Sequence, residues 1–550
     1  MRTSDKHLED CSKIDRIDEG AKMLAKHIIN SDDMFIQVDS DCDGYTSSAV
    51  LINYINLLMP SYVKSHITFR MHNDKSHGIK SEWVPDGVKI VVIPDAGSND
   101  YEEHKKLRDR GIDVLVIDHH EADKISQDAC VINNQLCDYP TKSLSGVGMV
   151  YKFCTYLDKQ LKKDYADKFL DLVALGLIAD MMDLRDLETR HLVTKGIDSI
   201  RNPFISAMID RQEYSINKAG GLNPFSIAFY IAPQVNAITR TGSAEEKRIL
   251  FLSMLDTYAY TKIPSTKSGA RANDQETIVE QAIRYCTNVK NRQTKIQDRS
   301  VELIEKIIKE KDLLNNKILL IQLEPEYATD KNLTGLIANK LMAKYCRPVL
   351  ILNKKINEET KEIVWEGSGR GYEKSKLKDF RTFLKNSNLV YLAEGHANAM
   401  GVGITDENIQ KFIDYSNNQL ADLDFTPQYM VDFIYEGNDC IKGEEILDIY
   451  RWKNLWGQNV DEPYICLKNI KLTSNDINLM AKGTLRLDIR KGLTAIKFGS
   501  SEEEVESIMP PETGYVILDI IGLCSYNNYS DGPQIKIVDY NIVNLARYYF

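Results

Sequence analysis

Val114-Leu115-Val116-Ile117-Asp118-His119-His120 is a short apolar run that ends in one acid and two imidazoles, and the same pattern surrounds it. Upstream stand Met34-Phe35-Ile36-Gln37-Val38-Asp39-Ser40-Asp41-Cys42-Asp43-Gly44 and Val92-Ile93-Pro94-Asp95-Ala96-Gly97. Downstream stands Leu175-Gly176-Leu177-Ile178-Ala179-Asp180. In an open parallel α/β sheet, ligands bind along the rim where strands end. Four such ends, bringing carboxylates and histidines to one rim, make a site for hard divalent cations and point to a metal-dependent phosphoesterase.

Outward from these runs, strand and helix patterns alternate. Residues 34–39, 88–93 and 114–117 read as strands, 46–59 as a helix ended by Pro60, and 101–110 as a polar helix closed by Gly111. Such alternation predicts a mostly parallel sheet. Pro264-Ser265-Thr266-Lys267-Ser268-Gly269-Ala270 is a breaker cluster, and 274–311, free of Pro and Gly, reads as a long connecting helix. A second α/β unit follows, with strands at 317–321 and 348–352 around a helix at 333–345. From about Phe433 short alternating strands (483–489, 494–498, 515–522, 534–539) suggest a small barrel or sandwich. The expected division is an N-terminal helical segment (1–32), a parallel-sheet domain (33–265), a connecting helix (266–315), a smaller α/β domain (316–412), a linker (413–432) and a C-terminal β-barrel (433–550).

A chain of 550 residues predicts several domains, and 43% apolar with 27% charged residues is the balance of a globular protein with ample core. No apolar run reaches the roughly 18 residues a membrane span needs, and the N-terminus lacks the apolar core of a signal peptide. The ten cysteines show no paired C-x-x-C spacing, so neither a zinc ribbon nor a disulfide framework is indicated. Together these predict a cytoplasmic protein with no membrane partner. The net charge of −11 excludes a protein that coats nucleic acid through global charge, but leaves room for a nucleic-acid enzyme with a local basic groove.

Asp39, Asp41 and Asp43 alternate with Ser40 and Cys42. In an extended segment, residues i and i+2 point the same way, roughly 6–7 Å apart. Like charges so close are costly unless a cation neutralises them. A lone D-x-D is more commonly a solvated acidic turn; here Asp95, His119, His120 and Asp180 recur at predicted strand ends or at a helix terminus. A mixed carboxylate and imidazole set suits Mn²⁺ better than Ca²⁺. Two ions about 3.5–4 Å apart could activate water and stabilise the leaving oxygen of a phosphodiester.

The four segments resemble the four motifs of the DHH phosphoesterase superfamily, named for the Asp118-His119-His120 triplet. Further matches resemble its RecJ-type single-strand-specific exonucleases: Ser145-Gly146-Val147-Gly148-Met149-Val150-Tyr151, the run Ala232-Pro233-Gln234-Val235-Asn236-Ala237-Ile238-Thr239-Arg240, and Asn332-Leu333-Thr334-Gly335 through Arg347-Pro348. Gly367-Ser368-Gly369-Arg370 and Glu394-Gly395-His396 are similar to motifs of the DHH-associated domain, and Leu455 through Pro463 to the segment entering an OB-type domain. The series runs in the family's order from about Met34 to Asp539.

The resemblance implies Asp41, Asp43, Asp95, His119 and Asp180 as metal ligands, with Asp39 in addition, for two divalent cations, Mn²⁺ ahead of Mg²⁺. It implies that His120 contacts the scissile phosphate and that Asp118 orients the histidines. Arg240, Asn236, Ser368, Arg370 and His396 would bind phosphate or nucleic acid, Ser368 and Arg370 from a glycine-rich turn. The implied activity is 5′-to-3′ removal of mononucleotides from single-stranded DNA in repair and recombination, by a monomer that could work beside a single-strand-binding protein or helicase. In the C-terminal domain Lys482, Arg486, Arg490, Lys491, Lys497, Tyr526 and Tyr529 would contribute charge and stacking to a DNA groove. Departures are Gln37, where many relatives carry His, Glu394 and Gly371 in the second-domain motifs, and the stretch holding Arg70-Met71-His72 and Ser76-His77-Gly78. Alternatives are a DHH hydrolase of short oligoribonucleotides or cyclic dinucleotides, and a non-catalytic replication scaffold. The C-terminal extension speaks against the first and the intact acid and histidine set against the second.

Overall fold

Strands β1 (Met34–Val38), β2 (Ile67–Met71), β3 (Ile90–Pro94), β4 (Asp113–Asp118) and β5 (Cys130–Asn133) form a sheet in the order β2-β1-β3-β4-β5. Every pairing in it is parallel. The computed structural model in which they are seen describes residues 3–73, 76–357, 361–439, 441–481, 483–527 and 531–547. β1 and β3 are wholly buried, as strands covered on both faces must be, whereas the edge strand β2 alternates between half-buried and exposed. One face packs Phe35, Val91, Ile93, Val114 and Val116 against Leu107 of the helix Tyr101–Asp109. On the other, Leu115 and Ile132 meet Phe153 beside Gly20, whose lack of a side chain lets the helix Ile17–Ile29 approach. The chain leaves β1 toward β2 and then returns to β3 on the other side, so the sheet has a switch point between β1 and β3, where the Asp39–Asp43 loop and Asp95 lie.

Of a strand end and a helix terminus, Asp180 takes the second: it is the C-cap of the helix Leu170–Ala179, buried from Leu170 through Ile178, so the extended run that could have ended there is not a strand. A helix apolar all round is one packed on every side, and short apolar runs do not distinguish it from a buried strand. The acidic zigzag also fails after Asp41, because the helix Cys42–Leu58 begins there, with Asp41 as N-cap accepting from the N–H of Asp43 (2.9 Å) and Gly44 (3.1 Å).

Met1–Thr287 together with Met430–Phe550 make one unit, and Asn288–Tyr429 another. After the short pair β6 (Lys262–Pro264) and β7 (Gln275–Thr277), the helix Ile278–Glu310 starts in the first unit and continues into the second. The second unit carries β8 (Leu319–Leu323), β9 (Val349–Ile356), β10 (Ile363–Arg370), β11 (Val390–His396) and β12 (Ala399–Thr405) in the order β11-β12-β10-β9-β8, parallel only between β8 and β9.

The C-terminal strands β13 (Phe433–Glu436), β14 (Tyr464–Leu472), β15 (Ile477–Met480), β16 (Thr484–Arg490), β17 (Leu493–Phe498), β18 (Gly514–Asn527) and β19 (Gly532–Arg547) form a mixed seven-stranded sheet in the order β13-β14-β18-β19-β17-β16-β15. Inward residues from strands far apart in that order, such as Ile465 and Leu467 on β14 and Leu485 and Leu487 on β16, share one core, so the sheet curls on itself. This segment packs on the parallel-sheet segment, with Leu184 N–H donating to Gln458 O at 3.1 Å. Among the described residues no helix is long and apolar enough to cross a membrane.

Candidate metal centre

Asp39, one residue past β1, is 1% exposed and accepts from His77 Nδ1 at 2.6 Å and from Gly78 N–H at 3.3 Å. Asp43, in the first turn of its helix, is equally buried and is gripped by a second helix: Ser145 Oγ (2.9 Å), Gly146 N–H (2.6 Å) and Val147 N–H (3.2 Å) all donate to it at the start of the helix Gly146–Leu161. Helix N-termini stabilise anions, so this is a built seat for a carboxylate. Asp95, past β3, adopts φ +67, a strained conformation for a side-chain-bearing residue, with its N–H bonded to Ile117 O at 2.8 Å.

His119 converges on these acids. Its Nε2 lies 3.3 Å from Asp95, 3.5 Å from Asp180 and 4.0 Å from Asp43. Two ligand triads result, Asp43–His119–Asp180 and Asp39–Asp41–Asp95, each with ligand atoms within 4.8 Å of one another. A further group joins Asp95, Asp118, His119 and His120. Three glycines permit this crowding: a Cβ on Gly44 would lie 2.5 Å from Asp39, on Gly146 2.2 Å from Asp95, and on Gly176 2.5 Å from Asp43.

The electrostatics are those of carboxylates crowded together and shielded from water. Burial and the charges of Asp43, Asp41 and Asp39 push Asp95 well above the ordinary carboxylate range. Burial with Asp39 and Asp43 pushes Asp41 up to about 6, and burial with Asp43 and Asp41 pushes Asp180 up to about 8. Burial lowers His119, which favours the neutral ring that ligates metals. Asp95 Oδ1 and His119 Nε2 are buried without a hydrogen-bond partner among the described residues. Stacked buried acids and orphaned ligand atoms fit divalent cations, which would supply positive charge.

Asp118 is tied differently. It accepts from the N–H groups of His119 (2.7 Å) and Ser98 (3.0 Å) and from His120 Nδ1 (2.8 Å). Burial would raise it, but the hydrogen bond and charge of His120 hold it well below the usual carboxylate range. The same bond pushes His120, whose side chain is half exposed, up to about 9. The Asp118 carboxylate thus fixes the exposed His120 ring through its Nδ1. Asn133, at the end of β5, donates to His120 O and Ser98 Oγ, both at 2.9 Å. Asn133, Ser98, Ser145 and His77 were not among the expected site residues. Asn133 carries the signal used elsewhere, a polar group closing an apolar strand; Ser98 and Ser145 act through local bonds that carry no residue-type signature.

The remaining expected residues separate. Asn236 and Arg240 lie on the helix Ala232–Thr241, which follows a π-helical turn, Ile227–Ile231. Asn236 Oδ1 accepts from Cys42 N–H at 3.2 Å and so holds the acidic loop. Burial weighs against the charge on Arg240, while the charge of Asp41 acts the other way. Ser368 and Arg370 belong to the second unit and lie on β10, not in a turn. Arg370 Nη1 donates to Gly369 O at 2.7 Å, and its Nη2 lies 2.4 Å from where a Cβ on Gly335 would be, in the first turn of the helix Thr334–Tyr345. His396 is exposed at the end of β11, opposite Ala399. In the C-terminal segment Arg486 pairs with Asp488 (2.8 Å), Arg490 donates to Ile441 O, Lys497 pairs with Glu504, Lys491 is exposed between β16 and β17, and Tyr526 stacks on Tyr450. Lys482 and Tyr529 lie outside the described residues.

Residues 33–177 match the model of the DHH family, N-terminal domain. The chain is 37% identical over 538 residues, 97% of its length and 91% of the relative's, to the putative SPbeta prophage-derived single-strand DNA-specific exonuclease YorK of Bacillus subtilis (strain 168). It is 24% identical over 559 residues to the single-stranded-DNA-specific exonuclease RecJ of the same organism, covering 98% of this chain and 65% of that one. In structure it is similar to RecJ from Thermus thermophilus in complex with Mn²⁺, with a TM-score of 0.70 and 17% identity over 96% of this chain and 72% of that chain.

Proposed function

Because the chain belongs to the RecJ-type single-strand-DNA-specific exonucleases of the DHH family, we propose that it is a metal-dependent exonuclease that hydrolyses phosphodiester bonds of single-stranded DNA. The observation that carries this reading is the cluster of buried Asp39, Asp43 and Asp95 with half-buried Asp41 and Asp180 around the Nε2 of His119, which has no hydrogen-bond partner among the described residues. Asp39, Asp41 and Asp95 would hold one cation and Asp43, His119 and Asp180 the other. When bound, such cations supply a nucleophilic water and charge for the leaving oxygen. The chain's own part is positioning. Asn236 and the N-terminus of Gly146–Leu161 fix the acids, Asp118 orients His120, and the exposed imidazolium of His120 grips the scissile phosphate. Ser368 and Arg370 beside a helix N-terminus would recognise a terminal 5′-phosphate, giving 5′-to-3′ release of mononucleotides. The reading includes Mn²⁺ as the working ion and action on cytoplasmic DNA in repair or recombination.

Single strands of DNA and RNA, labelled at either end, incubated with the chain and Mn²⁺, test it. The expected result is mononucleotides from DNA beginning at the 5′ end, abolished by EDTA and by Asp95→Ala. Undiminished cleavage by Asp95→Ala would remove the metal assignment, and preference for short RNA would favour the oligoribonucleotide hydrolases.

A further inference from the structure

Two exposed imidazoles border the acidic rim, and each is held in the same way. His120 is 52% exposed and its Nδ1 bonds Asp118 at 2.8 Å; His77 is 59% exposed and its Nδ1 bonds Asp39 at 2.6 Å. In both pairs the carboxylate is 1% exposed. A buried carboxylate that fixes a ring through Nδ1 leaves Nε2 as the free end, the arrangement by which proteins aim an imidazole at something else. The grip on Asp39 is double, because Gly78 N–H bonds its other oxygen and Gly78 takes φ +76 to bring the chain around.

The two rings approach from opposite sides. His77 follows β2 and Asp39 follows β1, whereas His120 follows β4, with β3 between. Strands are about 4.8 Å apart, so the anchoring carboxylates Asp39 and Asp118 lie roughly 10 Å apart along the rim. The rings are nonetheless near enough for the charge of His120 to act on His77. Gln37, which shares the β1 side, does not reach the rim: its amide donates to Val38 O and Arg70 O, both at 3.2 Å. The ligand triads include Asp39 but not His77. A single strand laid along the rim from the β4 side to the β1 side would meet His120 and then His77.

Resting on the exonuclease reading, we propose that His77 is a second substrate-phosphate contact, which binds the internucleotide phosphate adjacent to the one being cut. The full-length chain with His77→Ala, His77→Gln or His77→Asn would be compared with the unaltered chain at saturating Mn²⁺. Substrates would be a single-stranded oligonucleotide and the same strand with a neutral methylphosphonate at the linkage next to the cut. On the charged strand His77→Ala should lower kcat/KM about ten- to 100-fold. The methylphosphonate should cost the unaltered chain a similar factor and cost His77→Ala little more. His77→Gln, whose amide nitrogen reaches toward the position of Nε2, should retain more activity than His77→Asn, and the Mn²⁺ concentration for half-activation should not move. Equal methylphosphonate losses in both proteins, a defect erased by added Mn²⁺, or unchanged kcat/KM would each overturn the proposal. If the unaltered chain leaves the strand uncut, the exonuclease reading itself fails. If it cuts, Asp95→Ala does not, and the His77 variants match the unaltered chain, only the role of His77 falls.

Discussion

Gly146 shows how little room surrounds the acids. Its N–H seats Asp43, and an added Cβ would lie 2.2 Å from Asp95 Oδ1 and 2.4 Å from Asp95 Cβ. Asp95 already stands at φ +67 and has no slack to retreat into. Gly146→Ala should therefore displace a ligand while leaving the core intact, and weaken Mn²⁺-dependent activity about ten- to 100-fold, as disturbances just behind a metal site do. Gly148→Ala is the control, since its Cβ would meet only Leu144 and Leu177 at 3.2 Å. The measurement is kcat against Mn²⁺ concentration for both, and equal behaviour would mean that Asp95 can move aside. At this scale the sequence was most legible where chemistry is written in residue type: Asp39, Asp41, Asp43, Asp95, Asp118, His119, His120 and Asp180 do come together. Ser98 and Ser145 were not legible, because a serine that braces a neighbour looks like any loop residue until the fold supplies the neighbour.

Among elements, β10 changes what Arg370 is asked to do. On a strand paired on both sides, with Gly369 opposite Met400 and Leu350, its backbone is rigid, and only the side chain can adapt. Gly335 leaves space for the guanidinium at a helix N-terminus, where N–H groups and positive charge both favour phosphate. Arg370→Ala should raise KM for a 5′-phosphorylated strand by about ten- to 150-fold, the loss of a charge-assisted contact of about 1.5–3 kcal/mol. A 5′-hydroxyl strand should be affected less, and Arg370→Lys should recover only part because a point charge cannot grip two oxygens. Equal losses on both strands would move Arg370 out of end recognition. Elements are legible where periodicity is unambiguous, as in the 274–311 stretch that forms Ile278–Glu310. The run ending at Asp180 reads equally as strand or helix, because uniform apolarity carries no period, and β5 leaves little trace because only four residues form it.

For the whole molecule, the acidic cluster couples folding to protons and to metal. Asp41, at about 6, and Asp180, at about 8, bind protons more tightly folded than their ordinary value of 3.8 allows unfolded. Their contribution to stability is therefore fully present below about pH 4 and is lost as pH rises through about 6 and about 8. His120 acts in the same direction: raised from 6.5 to about 9, it contributes fully below about pH 6.5, and that contribution is lost as pH rises through about 9. Asp118, held low, acts oppositely, but its contribution is lost only in acid. The metal-free chain should thus melt at a lower temperature at pH 8 than at pH 5. Cations bind the deprotonated acids, so Mn²⁺ should compete with protons and raise Tm more at pH 8 than at pH 5. At a hundred times its dissociation constant it would add about 2.7 kcal/mol. Asp180→Asn removes the group that titrates highest among the acids with a resolved value, and should flatten the metal-free slope between pH 6 and 8 while reducing the Mn²⁺ shift. Thermal melts in EDTA and in Mn²⁺ at both pH values decide the matter. A metal-free Tm that rises toward pH 8, or a Mn²⁺ shift independent of pH, would mean that the buried acids find their compensation within the protein rather than in bound cations.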